Sequence, residues 1–204
     1  MDLKTVAILF IAALYCGCGN GDYRTMKSIL PINVTLQEGD VIFRKGTGMA
    51  SRVVTTADND GVYSHVGIVV RKGNALMVVH AVPDEHDFDG DVDRVKLGSL
   101  DRFYSESYAS RGEIMRHGDS IAASMAARKA LEVYERGTLF DNDYDDEDTS
   151  RLCCTELIKF VYASTGHPLD DVNKHTMKVL NITTNCSFPS DLQRSKYLRT
   201  ITLF

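Results

Sequence analysis

A cysteine becomes a nucleophile when its surroundings favour the thiolate and a base stands ready to take its proton. Cys154 lies near the start of the segment Arg151 to Ser164, whose apolar residues recur at helical spacing and which Gly166 and Pro168 close. Thr149 or Ser150 is expected to cap that helix, leaving Cys154 in or just past its first turn, at the positive end of the helix dipole. Cys154, Leu157, Ile158 and Val161 share one stripe, so the thiol is expected to face inward. Cys153 is one position off the stripe and is expected to point elsewhere.

The base has to come from another element. Ser64 to Arg71 and Ala75 to Val82 are β-rich runs separated by Lys72, Gly73 and Asn74, which is turn chemistry. A two-residue turn at Lys72-Gly73 sets His65 opposite His80, and one at Gly73-Asn74 sets His65 opposite Val82. Side chains alternate with period two, so either register puts His65 and His80 on one face, at most a diagonal apart. A thiol nucleophile needs a base and a third polar group to orient it, and this pair supplies both.

Around these residues the pattern is α+β. Strands are expected at Val41 to Arg44, Val92 to Leu97 and Arg111 to His117, with an edge strand from Tyr197 to Phe204. Helices are expected at Gly46 to Thr56, Ser99 to Tyr104 and Ser120 to Arg136, the last stopped by Gly137. The 204 residues suit one domain, with 44% hydrophobic residues for a core. A net charge of -5 and scattered Lys and Arg leave no basic field for nucleic acid.

Lys4 followed by the apolar run Val6 to Leu14 and then Tyr15, Cys16, Gly17 and Cys18 reads as a secretory signal, too short to span a bilayer. Residues 1–17 are expected to be that signal, 18–30 a tether and 31–204 the domain. Without Cys16 and Cys18, the cysteines left are Cys153, Cys154 and Cys186, an odd number, so one thiol stays free or pairs outside the chain. A Cys153 to Cys186 bridge would leave Cys154 as that thiol. The acidic run Asp141 to Asp148 opens like a calcium loop, but Asp146 replaces the required glycine and Leu152 the bidentate glutamate. His86, His117, His167 and Cys186 lack zinc spacing, so neither a catalytic metal nor a cofactor is expected.

Three blocks carry a resemblance: Glu38 to Phe43, Tyr63 to Ile68 and Leu152 to Leu157. They resemble the permuted papain-like cysteine hydrolases of the YaeF/YiiX type, kin to the NlpC-type cell-wall peptidases and lecithin:retinol acyltransferase. The resemblance implies a circularly permuted papain-like (NlpC-like) fold, its antiparallel sheet packed against helices that include the cysteine-bearing one. By the same resemblance Cys154 is the nucleophile, His65 the base and His80 the third polar residue. Two positions depart from it: His80 stands where YiiX-like members often carry Glu, and Cys153 where an aromatic residue is usual. The Cys154 amide could donate to an oxyanion, Tyr63 could contribute a hydroxyl, and the turn containing Asp40 approaches the cleft in this family. The N-terminal stretch resembles a bacterial lipoprotein signal, with Cys18 as the lipidated residue and Tyr15 where Leu is preferred. The implied activity is extracytoplasmic cleavage of an amide or ester, on a wall peptide or a lipid, by an enzyme anchored in the bacterial cell envelope. An acyltransferase and a non-catalytic binding lipoprotein are the alternatives.

Overall fold

The computed structural model describes residues 27–58, 61–144, 148–179 and 182–204. The expected signal, the lipidation site Cys18 and most of the tether lie outside the described residues. Residues 27–30, expected to be tether, contact the rest of the fold. Ile29 N–H donates to Tyr104 O at 2.9 Å, Glu106 N–H to Lys27 O at 2.9 Å, and Ile29 and Leu30 pack against buried apolar residues.

In chain order the elements are β1 (Val41–Lys45), α1 (Met49–Ala57), β2 (His65–Lys72), β3 (Ala75–Val82), β4 (Arg94–Ser99), α2 (Leu100–Phe103), β5 (Arg111–His117), α3 (Ser120–Glu135), α4 (Cys154–Ala163), β6 (His175–Val179), β7 (Ile182–Cys186), α5 (Pro189–Gln193) and β8 (Leu198–Leu203). Six strands form one antiparallel sheet in the order β4-β3-β2-β1-β5-β8, with β8 at an edge as expected. The hairpin β6-β7 stands apart as a second, two-stranded sheet and was not foreseen.

Period-two alternation gives the large sheet two buried faces. Phe43, Val66, Ile68, Val79 and Ala81 pack with α3 and α4 residues such as Ala126, Leu157, Ile158 and Val161. Ile42, Val69, Val78 and Ile114 pack on the other side with Phe103 and Tyr104. Being covered on both faces, β1 and β2 read as nearly unbroken apolar runs.

The cysteine-bearing helix begins three residues later than expected, and Thr149 and Ser150 do not cap it. Arg151 is held extended by a parallel bridge to Leu139, with Leu152 N–H donating to Leu139 O at 3.1 Å. The Ser150 hydroxyl and amide are spent on Asp148. Cys153 is the N-cap, and Glu156 reaches back to accept its N–H at 2.6 Å. That shift makes Cys154 the first helical residue, where the amide has no intrahelical acceptor.

The β2-β3 turn is Gly73-Asn74, with Lys72 opposite Ala75 and Ile68 opposite Val79; Gly73 has φ +60°. This register places Gly67 opposite His80. A Cβ on Gly67 would meet Val78 Cγ2 at 2.7 Å and His80 Cβ at 3.1 Å, so the missing side chain is the space into which His80 leans. Gly67→Ala is therefore expected to lower stability by about 1–3 kcal/mol through overpacking. Urea denaturation checks this, and an unchanged midpoint would show that the strands separate at no cost.

Candidate active site

The site starts from the hairpin. His65 opens β2 and His80 lies near the end of β3, both nearly inaccessible to solvent, and His65 Nε2 lies 2.9 Å from His80 Nδ1. The diagonal pairing expected for a Gly73-Asn74 turn is the one found. Phe103 from α2 closes over both rings, with centroids 5.6 Å from His65 and 5.3 Å from His80.

Arg44, not among the expected site residues, pairs with His65 across β1 and β2. Its guanidinium is buried, sits 4.7 Å from the Phe103 ring centroid, donates to Phe103 O at 3.0 Å and forms an ion pair with Glu85. Next to it Lys96, opposite His80 on β4, donates to Asp91 Oδ2 at 2.6 Å and to Glu85 O at 2.5 Å. The signal for Arg44 was a cation directly after the apolar run Val41 to Phe43. Losing one partner of such a buried pair costs about 3–5 kcal/mol, because the other charge is left uncompensated.

Burial, and then the Arg44 charge and the other ring, hold the His65 pKa well below the ordinary imidazole value. His80 is pushed the same way by burial, Arg44, Arg102 and Lys96. Both rings are therefore neutral. In the tautomer where His65 Nε2–H donates to His80 Nδ1, the lone pair on His65 Nδ1 is the one available to accept a proton.

Cys154 is half-buried at the first turn of α4. Its pKa is lowered by a hydrogen bond from the Cys153 thiol; burial opposes this, and the Val66 amide adds to it. Cys153 is fully enclosed, and burial first of all pushes its own pKa up, so it stays protonated and donates. Its Sγ also lies 3.3 Å from Thr155 Oγ1. Cys153 does not point elsewhere: both thiols line one cleft. The Cys153 to Cys186 bridge is not formed.

Cys154, His65, Arg44 and Glu85 line a cleft of about 640 Å³. His65 and His80 are hydrogen-bonded to each other, and the thiol bonds to neither; Cys154 and His65 share the cleft from the helix side and the sheet side. Apolar walls come from Met49, Val53 and Val54 of α1, with Val82, Phe140 and Phe188. No residue of α1 is buried, and Met49 and Val53 are largely exposed.

Two expected cleft residues lie elsewhere. The Tyr63 hydroxyl donates to Gly112 O at 3.3 Å beneath the sheet, its ring packs on Phe43, and burial pushes its pKa up to about 12. Asp40 is fully buried in an ion pair with Arg116 at 2.6 Å and accepts from Gln37 N–H. Its turn packs against α3 instead: a Cβ on Gly39, which has φ +87°, would collide with the Ala123 carbonyl. Asp141 accepts from Asp143 N–H at 3.0 Å, a local turn contact.

A six-stranded antiparallel sheet packed against helices, one of them carrying Cys154, with a histidine pair at its rim defines a mixed α+β architecture. A solved structure of similar fold is metalloprotein yiiX from Escherichia coli O157:H7, 18% identical, with a TM-score of 0.65 over 81% of this chain and 96% of that one. At that identity the likeness concerns the fold alone. No family model and no curated protein matches the chain.

The neutral imidazoles carry a pH signature. The unfolded chain binds protons at His65 and His80 as pH falls through about 6.5, whereas the folded chain does not until well below it. Stability is thus full above that value and falls with acidification, by up to about 1.4 kcal/mol per pH unit for each histidine. Melting temperatures between pH 7.5 and 5 should fall for the native protein and less steeply for His80→Gln.

Proposed function

We propose that the protein is a thiol hydrolase that cleaves an amide or ester whose acyl portion is apolar. The observation that supports this most is an ionisable thiol at a helix N-terminus sharing one apolar cleft with His65, which is buried, neutral and hydrogen-bonded to His80. The Cys154 sulfur attacks the carbonyl carbon, the oxygen takes up the charge near the Cys154 amide, and the proton from the thiol passes to His65. The amine or alcohol leaves with that proton, and water, deprotonated by His65, releases the acyl group from sulfur. Thiol and imidazole are apart in the resting cleft, so this reading requires them to close around the substrate, a tightening common to catalytic hydrogen bonds.

The walls favour an acyl chain over a peptide. A peptide needs polar partners along its length, whereas α1, Val82, Phe140 and Phe188 offer mainly carbon. In this reading the fold is the circularly permuted papain-like one, with histidine before cysteine in the chain, and Cys18 carries a lipid that holds the enzyme at the bacterial envelope. Residues 1–17 are its signal.

The structural neighbour is a metalloprotein. Among the described residues here no three His, Cys, Asp or Glu side chains are grouped to hold an ion. The facing nitrogens of His65 and His80 are spent on each other beside the Arg44 cation, a poor setting for a second positive charge. The residues do not fit a metal, and no step above uses one.

Cys154→Ala is expected to abolish labelling by iodoacetamide at pH 6 and any acyl adduct detected by intact mass. Cys153→Ala should keep labelling at pH 8 but slow it several-fold at pH 6, because the donor that favours the thiolate is gone. Labelling that survives in Cys154→Ala and vanishes in Cys153→Ala would assign the nucleophile to the wrong cysteine here. For the anchor, Cys18→Ser should lose palmitate incorporation in a bacterial host, and retention of the label would reject Cys18 as the lipidated residue.

A further inference from the structure

We propose that Arg44, supported by Glu85 and Phe103, is the positioning residue of the His65–His80 pair, a role that rests on the hydrolase reading only for its catalytic meaning. Arg44 faces His65 across adjacent strands, and its guanidinium lies over the same Phe103 ring that packs both imidazoles. One fork of the guanidinium is tied to Phe103 O and the other to Glu85, so the cation and the aromatic cover move as a unit. Arg44 Nε is buried without a hydrogen-bond partner. Buried polar atoms in that state are uncommon.

The charge has one direction of effect on each neighbour. It disfavours a proton on His65 and on His80, and the Cys154 thiolate is attracted to it. The groups around the two rings are Arg44 on β1, Lys96 on β4, Arg102 on α2 and Glu85 after β3, with Cys154 on α4 and Tyr108 lining the same cleft. Lys96 and Arg102 are paired with Asp91 and Asp87 respectively, which leaves Arg44 as the cation whose own contacts include the cover of the rings. Arg44 would thus keep His65 a free base in acid solution, while Phe103 fixes the direction in which its ring points.

The test reads the rings themselves. Nitrogen-15 spectra of the histidine side chains in the intact native protein should show His65 and His80 neutral at pH 5.5, with one nitrogen of each protonated. An ordinary midpoint near 6.5 for His65 would overturn the proposal without any variant. In the double variant R44M/E85M, which removes both charges together and so leaves neither buried alone, the His65 midpoint should rise by a pH unit or more while melting shows the fold intact. An unchanged midpoint in the folded double variant overturns the proposal. Arg44→Lys retains the charge but not the fork or the stack: the midpoint should stay low while the ring signals broaden. A rise in R44K as large as in the double variant would reject the charge as the agent. Repeating the measurement on Cys154→Ala separates this result from the hydrolase reading, since the ring midpoints do not depend on turnover.

Discussion

The pairing of β2 with β3 is the constraint on which the site depends. Side chains alternate along a strand, so a slip of one residue would send His80 into the face occupied by Val79 and Ala81 and bring a hydrocarbon to His65. The two-residue turn at Gly73-Asn74 prevents that slip, and the absent side chain at Gly67 then lets the two rings meet diagonally. A backbone decision made at one end of the hairpin is read as a hydrogen bond at the other.

That bond exists in an unusual electrostatic setting. A buried arginine beside two buried imidazoles would be costly if any of the three were unpaired, and each has a partner: Glu85 for Arg44, and each ring for the other. The outcome is that a fixed positive charge on Arg44 stands beside two imidazoles that stay neutral. Cys153 plays a comparable part on the helix side. It is too enclosed to ionise and serves its neighbour as a donor.

Much of this was legible in the sequence, wherever local rules act. The alternation of β2 and β3 and the turn residues between them located both histidines on one face. The helical spacing of Cys154, Leu157, Ile158 and Val161 located the inward stripe, and Arg111 to His117 was read with its observed ends. What failed was decided by distant partners. Thr149 and Ser150 have capping chemistry, but a bridge to Leu139 keeps the chain extended through Arg151 and delays the helix. Asp40 and Tyr63 sit in motif blocks, yet Arg116 and Gly112, each more than forty residues away, claim them. Arg44 looked like the polar end of a strand, and only the meeting of β1 with α2 and with the loop after β3 makes it part of the site. The β6-β7 hairpin, with β-branched Ile182, Thr183 and Thr184, was passed over for want of an alternating pattern. The helix α5 carried a signal that went unused, Pro189 at its first position and Asp191 accepting from Phe188 N–H.

The helix α1 has a consequence of a different kind. Its residues wall the cleft, yet none is buried; at its end Asp58 accepts from the Ser190 hydroxyl at 2.7 Å and from the Ser190 amide at 3.3 Å. Exchanges at exposed positions typically change stability by no more than about 0.5 kcal/mol. Met49, Ala50 and Val53 are therefore free to vary under selection while the strands and α4 are not. A lineage could retune what this cleft accepts by drifting along one short helix, without reopening the question of how the rest of the chain folds.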